Sequence, residues 1–122
     1  MAGMNILLFV CVLICPVIAI VTGFILMKNP PKEINNTVGY RTRRSKSSQE
    51  AWDFANVYSG KCTMIYGVIS LIIGAALDYY LVYMAGVNAL FAMILVITLE
   101  LVGLIIAMLV PTERKLKEKF GE

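Results

Sequence analysis

The fold is decided by the polar stretch NNTVGYRTRRSKSSQEAW, residues 35–52, because long apolar segments lie on either side of it. This stretch lies within residues 28–61, which we call the basic segment. The basic segment holds seven of the eleven Lys and Arg residues of the chain and its only Trp. One polar break of this size in an apolar chain is typical of a membrane protein whose spans are joined by a substantial loop.

The composition places the chain among membrane proteins. Of its 122 residues 59% are hydrophobic, none is His, and the formal net charge is +3. A water-soluble domain of this size could not cover so much apolar surface, whereas a membrane helix needs about 20 apolar residues. We therefore predict an all-α membrane protein, a single domain over residues 1–122, with transmembrane helices at 5–27, 62–84 and 88–110 and a tail at 111–122.

The distribution of Lys and Arg predicts the orientation. The basic segment and the tail carry all eleven, and the N-terminus and the turn at 85–87 carry none. Because positively charged loops stay in the cytoplasm, we expect the N-terminus outside and the basic segment and C-terminus inside. The cluster Arg41, Arg43, Arg44 and Lys46 either only sets this topology or also attracts the anionic inner leaflet.

The basic segment is expected to contain a short interfacial helix. Ser47 and Glu50 fit a capping box, which predicts a helix that starts near Ser48. We expect this helix to lie at the inner membrane surface, with Trp52 at the level of the headgroups. It should then turn near Gly60-Lys61 into the second span.

The sequence also makes specific predictions for Gly39, Arg41 and the tail. Gly39 is expected to supply a turn, because glycine adopts positive φ at little cost. The more specific prediction for Arg41 is that it is buried in the loop and bonds backbone carbonyls or an acid such as Glu50. Pro111 is expected to mark the membrane exit, followed by a short interfacial helix or a frayed end.

Two acids fall within the predicted spans, where an ionised carboxylate costs several kcal/mol. Glu100 is expected near the midplane, either as a proton-linked or cation-binding site, or as a protonated side chain bonded to a carbonyl or to Ser70, Tyr66 or Thr98. Asp78 is expected in the outer third, where it faces the bundle or reaches the interface. This difference in depth argues against a direct pair of the two acids.

The chemistry-bearing residues do not predict an enzyme. Cys11, Cys15 and Cys62 are expected to be small packing residues, and without His no metal site or other cofactor is predicted. A lipid-phosphate enzyme would need a nucleophile motif or a phosphate-binding loop, and the chain has neither. The basic run is also too short to predict nucleic-acid binding.

The basic segment resembles the signature loop of the SdpI family of small bacterial membrane proteins. The resemblance rests on residues at fixed spacing, bracketed by one preceding span and a following two-span hairpin: Asn35, Gly39, Arg41, Thr42, Ser45, Ser48, Glu50, Trp52, Ala55, Asn56 and Gly60. The namesake also carries additional N-terminal membrane segments, and the resemblance implies a short form of the family here. The resemblance therefore supports the structure of the loop better than it supports the binding partners of the namesake.

The resemblance implies a non-enzymatic protein of the bacterial cell membrane. The namesake gives immunity to a secreted killing toxin and holds a cytoplasmic repressor at the bilayer. By resemblance, a peptide or protein toxin and a repressor are candidate partners here, together with the bilayer itself. The alternative is a small homo-oligomeric, proton-linked transporter or channel that uses Glu100.

Overall fold

The computed structural model describes residues 2–121, and over them the chain forms three long helices and no strand. The helices are α1 (Ala2–Lys28), α2 (Gln49–Tyr79) and α3 (Ala89–Phe120), and a π-helical turn, Tyr80–Met84, follows α2. All three are long and apolar enough to cross a membrane. The predicted all-α class with three membrane helices is therefore confirmed.

α1 and α2 pack antiparallel through glycines that bring their backbones together. A Cβ on Gly23 would lie 2.5 Å from the carbonyl oxygen of Gly60 and 2.5 Å from the backbone nitrogen of Met64. Further along, a Cβ on Gly67 would lie 2.9 Å from the carbonyl oxygen of Pro16. Small residues permit this close approach, which is how helices associate in a membrane without a hydrophobic driving force between them.

α3 returns along α2 after the short turn and packs against both α2 and α1. The Tyr66 hydroxyl donates a 2.7 Å hydrogen bond to the carbonyl oxygen of Glu100, and Gly103 makes room for the Tyr66 ring. At the turn, Tyr79 and Tyr83 are exposed with ring centroids 4.9 Å apart. This end of the bundle therefore presents aromatic rings outward, as expected for a membrane interface.

The predicted interfacial helix is not a separate element. A helix does begin where the sequence indicates, but α2 continues without a turn through Gly60-Lys61 to Tyr79. Gly60 does not break the helix, because α1 packs against it and holds the backbone in place. The capping residue is also one position later than predicted, since Ser48 accepts the hydrogen bond from the Ala51 nitrogen at 3.0 Å.

The helix α3 continues past Pro111, the expected membrane exit, and reaches Phe120, so the tail up to Phe120 is part of α3 and not a separate interfacial helix. Thr112 and Leu116 are buried on this extension. Leu116 forms an apolar cluster with Ala51, Ala55 and Tyr40. Pro111 costs the helix a backbone hydrogen bond. The packing of Leu116 offsets this cost and stabilises the extension.

Candidate functional site

The connection between α1 and α2, residues 29–48, folds against the helices, and we call it the docked loop. Its first turn is built on Asn35, whose side-chain oxygen accepts hydrogen bonds from the backbone nitrogens of Thr37 (2.9 Å) and Val38 (2.7 Å). Arg41 donates to the carbonyl oxygen of Asn36. The side-chain oxygen of Asn35 thus takes the place of a backbone carbonyl in this turn, as Asn commonly does.

Arg41 is not buried, contrary to the sharper prediction. Its side chain is exposed, and its partner is the predicted kind of group, a backbone carbonyl, but not Glu50. Glu50 is exposed in the first turn of α2. A carboxylate there interacts favourably with the positive end of the helix dipole.

Gly39 and Asn56 join the docked loop to α2. Gly39 has φ of 101°, which confirms the predicted positive-φ turn. The buried side chain of Asn56 accepts a 2.7 Å hydrogen bond from the Tyr40 nitrogen and donates a 2.9 Å one to the Trp52 carbonyl. A Cβ on Gly39 would overlap the Asn56 side-chain oxygen and lie 2.7 Å from Cγ of Pro31. Only glycine fits between loop and helix here.

Trp52 is a core residue, so protein, and not lipid headgroups, surrounds its indole. Its side chain is 0% exposed, and its indole nitrogen donates a 2.8 Å hydrogen bond to the carbonyl oxygen of Pro31. The docked loop covers the indole and supplies the acceptor that a buried Trp needs. The single Trp therefore ties the start of the loop to α2.

Thr42 and Ser45 close a second, smaller turn. The Ser45 hydroxyl accepts a 2.8 Å hydrogen bond from the Thr42 nitrogen and lies 3.0 Å from the carbonyl oxygen of Tyr40. Ser45 is fully buried. This turn aims the side chains of Tyr40, Thr42 and Arg44 toward α3.

Glu113 on α3 receives those three side chains, and the sequence analysis did not identify it. Its carboxylate accepts hydrogen bonds from the hydroxyls of Tyr40 (2.6 Å) and Thr42 (2.8 Å), and Arg44 forms an ion pair at 3.3 Å. We call these four residues the Glu113 clasp. Burial, and then the bond to Glu113, raises the pKa of the Tyr40 phenol. The only signal in the sequence was an acid directly after the last span, opposite a loop rich in donors.

The two intramembrane acids lie inside the bundle. Glu100 is 5% exposed and Asp78 is 3% exposed; among residues 2–121 no hydrogen-bond partner reaches the two carboxyl oxygens of Glu100 or Oδ1 of Asp78. Of the predicted hydroxyl partners, Tyr66 bonds the backbone oxygen of Glu100 and Thr98 bonds the carbonyl of Ile94. Ser70, the third predicted partner, lies beside the Glu100 carboxyl. Buried carboxyl oxygens without partners are costly and therefore point to a function.

Asp78 faces the bundle and not the interface, which settles the two alternatives left by the sequence. The adjacent Tyr79 and Tyr80 are exposed while Asp78 is buried. Glu100 packs against Gly74, one turn from Asp78 on α2. The two acids thus share the α2–α3 interface, although no hydrogen bond joins them within residues 2–121.

Comparison with known proteins points to one family. The model of the SdpI/YfhL protein family matches residues 32–112, more than half of the chain, including the docked loop from Lys32 onward and both intramembrane acids. The uncharacterized protein YfhL of Bacillus subtilis (strain 168) is 44% identical over 50 residues, which are 41% of this chain and 46% of that protein. No solved structure matches the chain.

Proposed function

Because the chain belongs to the SdpI/YfhL protein family, we propose that it is a non-enzymatic membrane protein that gives a bacterium immunity to a secreted toxin and signals through its docked loop. The observation that carries the proposal is that the signature residues fix the shape of the docked loop. Gly39, Asn56, Trp52 and Ser45 all face inward and hold the loop in one shape. A loop fixed in this way presents a constant surface, which is what recognition of a partner requires.

The outward side of the docked loop suits an acidic protein partner. Arg43 and Lys46 are exposed, and Lys46 is held by a 3.1 Å hydrogen bond to the Asn36 side chain. In the orientation that the charge distribution favours, with the N-terminus outside and the C-terminus in the cytoplasm, this surface faces the cytoplasm. A transcriptional repressor with an acidic patch is the kind of partner it would bind.

The Glu113 clasp gives a route by which an event in the bundle would reach this surface. The docked loop holds α3 through three side chains on one carboxylate. A toxin that displaced α3 on binding would strain the clasp and move the loop, because packed elements shift between discrete arrangements. Immunity would then depend on the bundle, and signalling on the loop as well.

The test is expression in a toxin-sensitive bacterium, with survival scored across a panel of secreted antimicrobial peptides. We expect improved survival against at least one toxin with the wild-type protein. Asn56→Ala, which removes the acceptor for the Tyr40 nitrogen, should reduce protection, whereas the exposed-site control Glu118→Gln should not. Unchanged survival with every toxin, at confirmed membrane expression, would count against immunity.

The signalling part is tested separately by recovery of bound cytoplasmic proteins. Arg43→Gln with Lys46→Gln removes two exposed charges without touching the loop interior. We expect loss of the bound partner with protection retained. Retention of the same partner by the double variant would show that this surface is not the recognition site.

The second candidate function is a homo-oligomeric, proton-linked transporter, and the unpartnered carboxyl oxygens of Glu100 favour it. An ionisable residue that faces the interior of a membrane bundle is a candidate proton or cation site. Glu100→Gln should abolish pH-driven flux in proteoliposomes, while Glu118→Gln in the exposed tail should leave it unchanged. Equal flux in Glu100→Gln and wild type would exclude this mechanism.

A further inference from the structure

α1 and α3 leave an open cleft along the side of the bundle. It consists of two cavities, each about 560 Å³, that share Thr22, Leu26 and Met108 in their walls. The upper cavity is bounded by the docked loop, and the lower one runs down α1 to Cys11. Each has the size of a small-molecule site, and together they form one continuous groove.

The cleft is long enough to cross the hydrocarbon of one leaflet of a bilayer. Its α1 wall runs from Cys11 to Leu26, which at 1.5 Å per residue is about 22 Å. The hydrocarbon of a single leaflet is about 15 Å thick. The cleft therefore extends from the loop end of the bundle through the depth that lipid chains of the adjacent leaflet occupy, and its lower walls are almost entirely apolar.

The mouth of the cleft carries a cation. Arg41 and Asn29 lie in the wall of the upper cavity, and no described residue lining either cavity is acidic. The guanidinium of Arg41 donates to the Asn36 carbonyl and has no other acceptor among residues 2–121. A guanidinium fork with free donors fits the oxygens of a phosphate.

We propose that the α1–α3 cleft binds an anionic phospholipid of the leaflet next to the docked loop. Its phosphate contacts Arg41, and one acyl chain lies along the lower cavity. The cation at the mouth and the absence of acids favour an anionic over a zwitterionic lipid. The site is independent of toxin immunity and of the Glu100 carboxylate, which faces α2.

The single Trp reports on this site directly. Trp52 bonds the carbonyl of Pro31, and Pro31 is itself part of the upper cavity wall. Brominated lipids quench Trp emission at short range. The protein would be placed in nanodiscs with brominated phosphatidylglycerol or brominated phosphatidylcholine at equal mole fractions, and the two quenching curves compared. We expect a preference for phosphatidylglycerol of about fivefold in association constant, the effect of one well-placed cation near the membrane surface.

Two matched pairs of variants separate the site from general effects. Arg41→Gln should abolish most of the preference, whereas Arg43→Gln, on an exposed residue outside both cavities, should retain it. Thr22→Phe, at the junction of the cavities, should reduce quenching by phosphatidylglycerol, while the lipid-facing Val21→Phe should not. The Trp52 emission maximum in unbrominated lipid verifies that each variant keeps its loop docked.

Several results would overturn the proposal. Equal quenching by both lipids in the wild type would remove the anionic site, and equal losses in Arg41→Gln and Arg43→Gln would reduce it to general surface charge. A normal lipid preference in Thr22→Phe would show that the cleft is not occupied. If Thr22→Phe instead altered the oligomeric state measured by native mass spectrometry without changing quenching, the occupant would be a second copy of the chain.

Discussion

Replacing Gly39 by Ala should undock the loop. The new Cβ would overlap the side-chain oxygen of Asn56 and lie 2.7 Å from Cγ of Pro31, at a residue whose φ is 101°. A Cβ at positive φ costs about 1–2 kcal/mol. Displacing Asn56 would also leave the buried Tyr40 nitrogen without its acceptor, at about 1–3 kcal/mol. The docked state should therefore lose about 2–5 kcal/mol.

Gly86→Ala is the matched control. Gly86 also has positive φ, 71°, but its Cβ would meet nothing within 4 Å. Because Gly86 lies outside the docked loop, its backbone cost acts on the whole fold and not on undocking. The two variants should therefore differ by the full cost of about 2–5 kcal/mol, roughly a 30- to 5,000-fold change in the equilibrium for undocking.

Limited trypsin digestion in detergent measures this equilibrium, because Arg41, Arg43, Arg44 and Lys46 all lie in the docked loop. Where loop opening is fast relative to cleavage, the cleavage rate follows the population of the open form. We expect Gly39→Ala to be cut at least several-fold faster than Gly86→Ala, with Trp52 emission shifted to the red. Equal cleavage rates in the two variants would refute the role assigned to the Gly39–Asn56 contact.

Three further predictions concern other contacts. The pKa of the Tyr40 phenol is raised in the folded protein, so its contribution to the free energy of unfolding is complete below about pH 10 and is lost as the pH rises further. Tyr40→Phe should therefore abolish this loss of stability at high pH, measured as the melting temperature against pH. Leu116→Ala should destabilise the end of α3 by about 2–5 kcal/mol, seen as faster amide hydrogen exchange there, and unchanged exchange would contradict its role in the packing. Gly23→Ala should lower the melting temperature more than Gly103→Ala, because the first collides with the backbone of α2 and the second only with a side chain, the Tyr66 phenol; the reverse order would be inconsistent with the α1–α2 contact.

The spans were predictable because the bilayer imposes one simple requirement, a long apolar helix, that hydropathy detects directly. The ends of the helices were not, because tertiary contacts decide them. Gly60 and Pro111 look like breaks in the sequence, yet α1 packs on Gly60 and Leu116 holds the turn beyond Pro111. A residue with poor helix propensity stays helical where packing outweighs its cost.

Trp52 shows why the loop could only be predicted in part. Near the end of a membrane span, an aromatic residue with a polar atom suits both the interface and a core that offers it an acceptor. The choice depends on the Pro31 carbonyl, 21 positions earlier in the chain, and no local pattern indicates that contact. The resemblance of the signature residues pointed to the right segment, but their inward orientation required the structure.

Glu100 and Glu113, two of the three glutamates of α3, have the opposite environments to those their positions suggest. Glu113 follows the last span and looks like an ordinary solvated charge, yet three side chains bond it. Glu100 lies deep in the span, where a partner is most needed, yet its carboxyl oxygens have none. Since burial without a partner is unfavourable, the packing of Glu100 on Gly74 must be stabilised by the rest of the bundle. The clasp contributes to that stability, because Glu113 fixes the same helix about 20 Å away.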